Sequence, residues 1–443
     1  MNHIKLIVFD LDGVLLDFCD IHRDALNDAI NMVAGVQFCI SQEEHETRYN
    51  GRSTRAKLDM LHVDKGLSRE LFDDIFKMKQ ATTLTTIRST VNPSEQLREL
   101  LQYLRDRGIK IACATNSIRD TLDNALDRLN IRSFFDFTLS NGDVQTIKPD
   151  PDIYLRCHEL AGVTPRETLI FEDSPIGLAA AKASGSWVRC VPTPQSLTLE
   201  FVMNPLVNIV VPMAGNGSRF STAGYIDPKP LIPVFGDPMI SWVVKNITVP
   251  GARFIFLIRA DYPDTCKSYL ESIAPGCSVI SVDKVTEGAA CTVLLAKDII
   301  NSETPLLIAN SDQYIEFSCT DFVHSFLNDT YSAKISTFDG GRNPKWSYVG
   351  IADGVVTEVV EKKPISDHAT TGVYLWRHGS DFVRFAEQMI AKNIRVNNEF
   401  YVAPVFTEAL QAGLTVTISP CDRMWGLGVP EDLEYFIANY KNT

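Results

Sequence analysis

At 443 residues, with 45% hydrophobic and 22% charged side chains, the chain has the make-up of a soluble globular protein and is too long for one ordinary core, so two domains are expected. A net charge of −13 would repel a polyphosphate backbone, which argues against nucleic acid as a partner. No apolar run approaches the roughly 20 residues that cross a bilayer, no signal-peptide layout opens the chain, and the ten cysteines are scattered without a CxxC pair. These features predict a cytoplasmic protein with buried thiols and no membrane association.

Taken in chain order, "IKLIVFD" (4–10) reads as a strand, followed over 18–90 by purely helical patterning such as "RDALNDAINMVAG" and "RELFDDIFKMKQA". Strands are then expected at "IKIACATN" (109–116), "FFDFTLS" (134–140) and "ETLIFEDS" (167–174), with amphipathic helices at 94–108 and 151–162. Alternation of this kind implies a parallel sheet covered by helices, here carrying a helical cap inserted over about 16–90. "VPTPQSLTLEFVMNPL" (191–206) has three prolines and weak periodicity and reads as a linker. A second alternation begins at "VNIVVPMAG" and continues through "ARFIFLIRA", "CSVISVD", "TPLLIANSD" and "AKISTFD". The expected fold class is therefore α/β, with two tandem Rossmann-like domains at 1–192 and 207–443 joined by 193–206.

Ligands of a parallel sheet bind at the C-terminal ends of its strands. "FDLDG" puts Asp10 and Asp12 at such an end, where the pair can hold magnesium, Asp10 can attack phosphorus and Asp12 can handle the proton. "CATNS" adds Thr115 and Asn116 as donors to phosphate oxygens, "IKPDP" adds Lys148 as a cation, and "FEDS" adds Glu172 and Asp173 as oxygen ligands for a hard metal ion. In this order the set resembles the haloacid dehalogenase-like phosphatase superfamily over about residues 4–190. "KPDPDIYL" with "FEDSPIGLAAAKASG" is similar to its β-phosphoglucomutase/phosphoglycolate phosphatase branch. The resemblance implies an aspartyl-phosphate intermediate. It places His22 beside the acid/base, where an ordinary helix-face histidine is an equal alternative, and makes Lys79 a cap lysine facing substrate. Arg52 and Arg55 lie near the position of the mutase's substrate-phosphate arginine without matching it, so a phosphatase leads and a sugar-phosphate mutase stays open.

In the second half "MAGNGSR" follows an apolar strand, and the backbone of Met213, Ala214, Gly215, Asn216, Gly217 and Ser218 can cradle a polyphosphate. Arg219 closes this turn and Lys229 follows in "DPKPLIPVFGDPMI", two cations able to offset charge on a triphosphate during in-line attack. The combined pattern resembles the nucleotidyltransferases that make nucleotide-activated sugars and alditols, from about residue 207 to the end, and implies a mixed-sheet nucleotidyltransferase fold. The resemblance implies that Glu287, Gly288 and Ala289 read base and ribose and that Asp312 holds magnesium. It also implies that Glu361, Lys362, Gly372, Tyr374, Asn398 and Glu399 line the acceptor pocket. Many of these enzymes carry a second metal-binding aspartate in a late D-x-G turn. Here "MWGLGVPEDL" has Gly426 at that position, leaving one magnesium or a substitute acid such as Glu399.

The form of the "AGxGSR" turn is closer to cytidylyltransferases, so CTP is favoured over GTP, UTP and dTTP, with a sugar or polyol phosphate as acceptor. Together the halves predict a bifunctional, magnesium-dependent enzyme of nucleotide-activated sugar or polyol synthesis for surface polysaccharide. A non-catalytic regulatory half is the alternative from another class. A dinucleotide oxidoreductase rests on the GxG alone.

Overall fold

The structure is a computed structural model that describes residues 3–49, 52–352 and 354–441. It divides into two compact units, His3–Asn204 and a second built from Pro205–Thr443. Among the described residues no helix is long and apolar enough to cross a membrane, and the cysteines whose side chains are described are free thiols.

The first unit is built on a five-stranded parallel sheet whose spatial order runs Phe137–Leu139, Lys110–Ala114, Leu6–Phe9, Thr168–Glu172, Trp187–Cys190. Its central strand, Leu6-Ile7-Val8-Phe9, is wholly buried, as a continuous apolar run between two helical layers must be. Phe9 is level with Cys113 on one side and Phe171 on the other, so the residues that follow, Asp10, Ala114 and Glu172, end in one row. The helical insertion runs from Cys19–Val33 to Phe72–Thr90 and has its own core of Leu26, Ile30, Tyr49, Leu58, Leu61 and Phe72. Two residues of the cap stretch quoted above, Asn50 and Gly51, lie outside the described residues.

The proline-containing stretch expected as a linker is folded against the first unit. It forms the short helix Leu199–Met203, buries Leu197 and Val202, and receives Arg189 hydrogen bonds on the carbonyls of Phe201 and Asn204. Its apolar residues were too few for a periodic signal, but they suffice to cap a sheet edge.

The second unit has a nine-stranded mixed sheet. Ser278–Val282, Ala252–Arg259, Val207–Pro212 and Leu306–Ala309 are parallel, and His368–Trp376 then runs antiparallel between Leu306–Ala309 and Ala333–Asp339. Val416–Pro420 closes that edge, and the hairpin Tyr348–Ala352/Val355–Val360 attaches to His368–Trp376. A separate cluster of Phe220, Ile232, Met239, Trp425, Leu433 and Phe436 fixes the segment around Lys229 against the strand Met424–Gly426 and the last helix, Pro430–Asn439. Lys229, Met424, Gly426 and Asp432, from the segments this cluster holds together, line the second cleft.

Candidate active sites

In the first unit a cavity of about 310 Å³ lies between the sheet's C-terminal edge and the cap. Asp10, Asp12, His22, Lys79, Thr115, Asn116, Lys148, Glu172 and Asp173 all line it, so every residue singled out in this half converges on one place. At its centre Lys148 Nζ donates 2.7 Å hydrogen bonds to Asp10 Oδ1 and Glu172 Oε1, and a 2.9 Å bond to the Ala114 carbonyl. Against the burial that disfavours its charge, Asp10 and Glu172 raise the Lys148 pKa. Burial likewise pushes Asp10 up, against the pull of Lys148. Glu172 is fixed by Tyr154, whose hydroxyl donates at 2.7 Å, and by the backbone N–H of Asp173 at 3.1 Å.

Close packing leaves this row no slack. A Cβ on Gly13, which has φ +84°, would lie 2.0 Å from Asp173 Oδ2, and one on Gly177 would lie 1.9 Å from Glu172 Oε1. These glycines let the loop and the helix Pro175–Ala183 approach the acids. Asp10, Glu172 and Asp173 each offer a carboxylate oxygen within 4.8 Å of the others. Asp173 Oδ1 is buried without a hydrogen-bond partner, and burial, followed by the Glu172 charge, lifts its pKa to about 6. An orphaned oxygen held among like charges fits a hard divalent cation.

Asp12 sits beside this group. Burial opposes its ionisation, but the His22 imidazole and the Ser117 hydroxyl bring its pKa below the ordinary value. His22 Nε2 lies 3.4 Å from Asp12 Oδ1, and Ser117 Oγ donates to Oδ2 at 2.7 Å. The other imidazole nitrogen, Nδ1, is 3.2 Å from Lys79 Nζ. Burial, with Lys57 adding to it against Asp12, takes the Lys79 pKa to about 8. Asn116 is engaged differently from the expected phosphate donor: its amide bridges the backbone N–H and carbonyl of Lys148, clamping the lysine loop. Ser117 was missed, although its place one residue after Thr115-Asn116 in "CATNS" was the signal available.

The second unit has a wider cleft of about 630 Å³. Met213, Gly215, Gly217, Arg219, Lys229, Ala289, Asp312, Glu361, Lys362, Gly372 and Tyr374 line it. Lys229 Nζ donates to Asp312 Oδ2 at 2.5 Å, joining the lysine of the proline-bounded turn to the acid at the end of Leu306–Ala309. Lys362 donates to the Tyr401 hydroxyl at 2.6 Å. Glu361, whose pKa burial raises, accepts from Ser347. The Tyr374 and Thr370 hydroxyls share a 3.0 Å hydrogen bond.

The remaining residues predicted for this half stand outside the cleft's lining. Ala214 is buried, and Asn216 accepts a 2.5 Å hydrogen bond from Arg259, with Ser218 exposed next to it in sequence. Glu287 pairs with Arg395. Gly288 packs against the Phe400 backbone, 2.5 Å from where its Cβ would be, which ties the "TEG" turn to "NNEF". Asn398 and Glu399 are exposed. The cleft instead contains an acid that sequence reasoning missed. Asp432, in the first turn of Pro430–Asn439, lines it, with Oδ2 3.1 Å from where a Cβ on Gly426 would be. Gly428 makes the corresponding room for Asp312, whose Oδ2 is 2.9 Å from its hypothetical Cβ.

The first half is similar to CbbY of Rhodobacter capsulatus, at 30% identity over 201 residues, which cover 44% of this chain and 87% of that protein. It is also similar to a phosphorylated carbohydrates phosphatase of Thermotoga maritima, at 28% identity over 41% of this chain and 82% of that protein. The second half superposes on the nucleoside-diphosphate-sugar pyrophosphorylase from Vibrio cholerae RC9 with a TM-score of 0.45 and 24% identity, covering 52% of this chain and all of that one. Models of the haloacid dehalogenase-like hydrolases and of the nucleotidyl transferases match residues 7–191 and 209–411. The chain thus belongs to the haloacid dehalogenase-like hydrolases through its first half and joins to that enzyme domain a second one, a nucleotidyl transferase.

Proposed function

We propose that the chain is a bifunctional enzyme of nucleotide-activated sugar or polyol synthesis for surface polysaccharide. One half cleaves a phosphate ester, and the other transfers a nucleotidyl group, from CTP in preference to GTP, UTP or dTTP, to a sugar or polyol phosphate. The observation that carries the reading is the pair of separate ion-paired centres, Asp10–Lys148–Glu172 and Lys229–Asp312, each lining its own cleft. The similarity to a phosphatase of phosphorylated carbohydrates supports a carbohydrate or polyol ester for the first half.

In the first half an Asp10 carboxylate oxygen attacks phosphorus as the bond to the ester oxygen breaks. The departing alkoxide takes a proton from the Asp12–His22 pair. Water then attacks the aspartyl phosphate, returns a proton to Asp12, and frees Asp10 and inorganic phosphate. Asp10, Glu172 and Asp173 would hold Mg2+, which when bound neutralises charge between the nucleophile and the phosphoryl oxygens. Lys148 keeps Asp10 oriented and shares that neutralisation. In the second half an acceptor phosphate oxygen attacks the α-phosphorus and the bond to pyrophosphate breaks. Arg219 and Lys229 face the charge that develops, and Asp312 would hold the metal ion there.

The test is phosphate and pyrophosphate release by the full chain with Mg2+, over four nucleoside triphosphates crossed with sugar and polyol phosphates. Lys229→Met is expected to abolish pyrophosphate release and keep phosphate release, and Asp10→Asn to do the reverse. Simultaneous loss of both activities in either variant would contradict two independent centres. Failure of every triphosphate and acceptor pair in the wild-type chain would contradict the transfer reaction.

A further inference from the structure

Among the described residues that line the second cleft, Lys362 is the one non-glycine with a positive φ. Its φ of +57° lies in the left-handed region that an L side chain rarely adopts. A lysine kept there against the preference of its own backbone is held by its surroundings. Two contacts supply the hold. Ser347 donates to the carboxylate of the preceding Glu361, and Lys362 Nζ donates to the Tyr401 hydroxyl at 2.6 Å, 4.6 Å from the centroid of the same ring. Tyr401 lines the cleft beside it.

Tyr401 is a rigid place from which to hold a flexible side chain. Its neighbours Phe400, Val402 and Ala403 are buried in the core of the second unit. The Phe400 N–H donates to the Glu287 carbonyl at 2.7 Å, and the Phe400 carbonyl accepts from the Ala290 N–H at 3.0 Å. Ala289, between these two bonds, lines the cleft. Tyr401 therefore starts one residue from the turn that resemblance assigns to base and ribose, and its phenol ends on a lysine assigned to the acceptor side. The two cleft lysines also differ in what engages them. Lys229 meets the Asp312 carboxylate. Lys362 meets a neutral oxygen, which occupies one of its three N–H groups and leaves its charge and the other two for an anion.

We propose that Tyr401 is a positioning residue for the transfer reaction: its hydroxyl holds the Lys362 ammonium where it meets the acceptor's phosphate, at a reach fixed by the Phe400 bonds to the nucleotide-side turn. The inference rests on the transfer reading above and adds a residue to it. A free lysine gives up the rotamer freedom of its four-carbon stem each time it closes on an anion. One anchored by Tyr401 has lost that freedom before the acceptor arrives, so the anchor tightens acceptor binding. The anchoring bond is the same before and during attack on the α-phosphorus, so it leaves the chemical step unchanged.

The experiment measures pyrophosphate release by the full chain with Mg2+, using the pair of triphosphate and sugar or polyol phosphate that wild type turns over fastest and varying each substrate in turn. Tyr401→Phe keeps the ring beside Lys362 and removes the hydroxyl alone. It is expected to raise the acceptor KM by about tenfold while the triphosphate KM and kcat stay within about twofold. In a Lys362→Met chain the same change should lower acceptor kcat/KM by less than about twofold, because the lysine it acts through is gone. An unmoved acceptor KM in Tyr401→Phe, an equal rise in both KM values, loss of turnover at saturating substrates, or an undiminished effect in the Lys362→Met chain would each overturn the inference. Absence of pyrophosphate release from every pair in wild type would overturn the transfer reading beneath it.

Discussion

Lys148→Met tests the centre of the first site most directly. The lysine is 5% exposed and touches Asp10 and Glu172 at 2.7 Å each. At that distance and an effective dielectric constant of about 20, each contact carries roughly 6 kcal/mol of Coulomb attraction. Desolvation of the three groups offsets most of it, and breaking a buried pair on one side typically costs about 3–5 kcal/mol. Methionine preserves much of the stem volume, so the loss reports charge and not a cavity. In a unit the size of His3–Asn204, about 2–4 °C of melting temperature accompanies each kcal/mol, so its transition should fall by roughly 6–20 °C.

The pH dependence gives the sign. Without the ammonium, the buried Asp10 carboxyl retains its proton in the folded state above the pH at which the unfolded chain releases it, so the variant's stability falls as pH rises. The deficit should therefore be larger near pH 8 than near pH 5. Calorimetry of the full chain measures it, with residual phosphate release of heated wild-type protein assigning the transition. A loss below about 3 °C, or one equal at both pH values, would refute the view that Lys148 balances two buried charges.

Three further outcomes follow from the two sites. Asp173 has its pKa raised from 3.8 to about 6 by burial and then by Glu172, so without a cation its ionisation lowers stability as pH rises through that interval. Mg2+ should raise the first unit's melting temperature near pH 7.5 and not near pH 5, and Asp173→Asn should abolish the shift while melting above metal-free wild type; an equal Mg2+ effect at both pH values would count against the site. Gly177→Ala places a Cβ 1.9 Å from Glu172 Oε1. It should cost about 1–3 kcal/mol and lower phosphate release by roughly 100-fold, whereas near-wild-type turnover would mean that Glu172 can relocate freely. In the second cleft Asp432→Asn should lower pyrophosphate release by about 10- to 100-fold and Glu399→Gln should matter far less; the opposite order would return the missing acid to Glu399.

The first site was legible because its chemistry is local to strand ends. Asp10, Thr115 and Glu172 each end or directly follow a strand, and a parallel sheet with Leu6–Phe9 at its centre brings three such ends into one row whatever the loops do. Lys148 needed one loop to turn back, and the Asn116 clamp on its backbone provides that. The cap's contribution was less legible. Lys57 and Gln80 line the first cavity from amphipathic helices whose periodicity says which face is apolar, but which polar residue ends over Asp10 depends on how those helices pack, and that information is tertiary.

The second cleft shows the same limit more sharply, because there a motif residue is replaced. At Gly426 the expected side chain is absent, and a search along the neighbouring chain for an acid led to Glu399, which the structure leaves exposed. Packing accounts for where the later acid, Asp432, sits. Trp425, Leu433 and Phe436 pack into one cluster and swing the start of Pro430–Asn439 against the strand Met424–Gly426. Asp432 Oδ2 then lies 3.1 Å from the point where a side chain at 426 would start. A larger residue at 426 would therefore displace the Asp432 carboxylate, so the glycine and the later acid are one feature. Their spacing of one short turn and the first turn of a helix carries no periodic signature, but it was open to a reading that asked what a missing side chain makes room for.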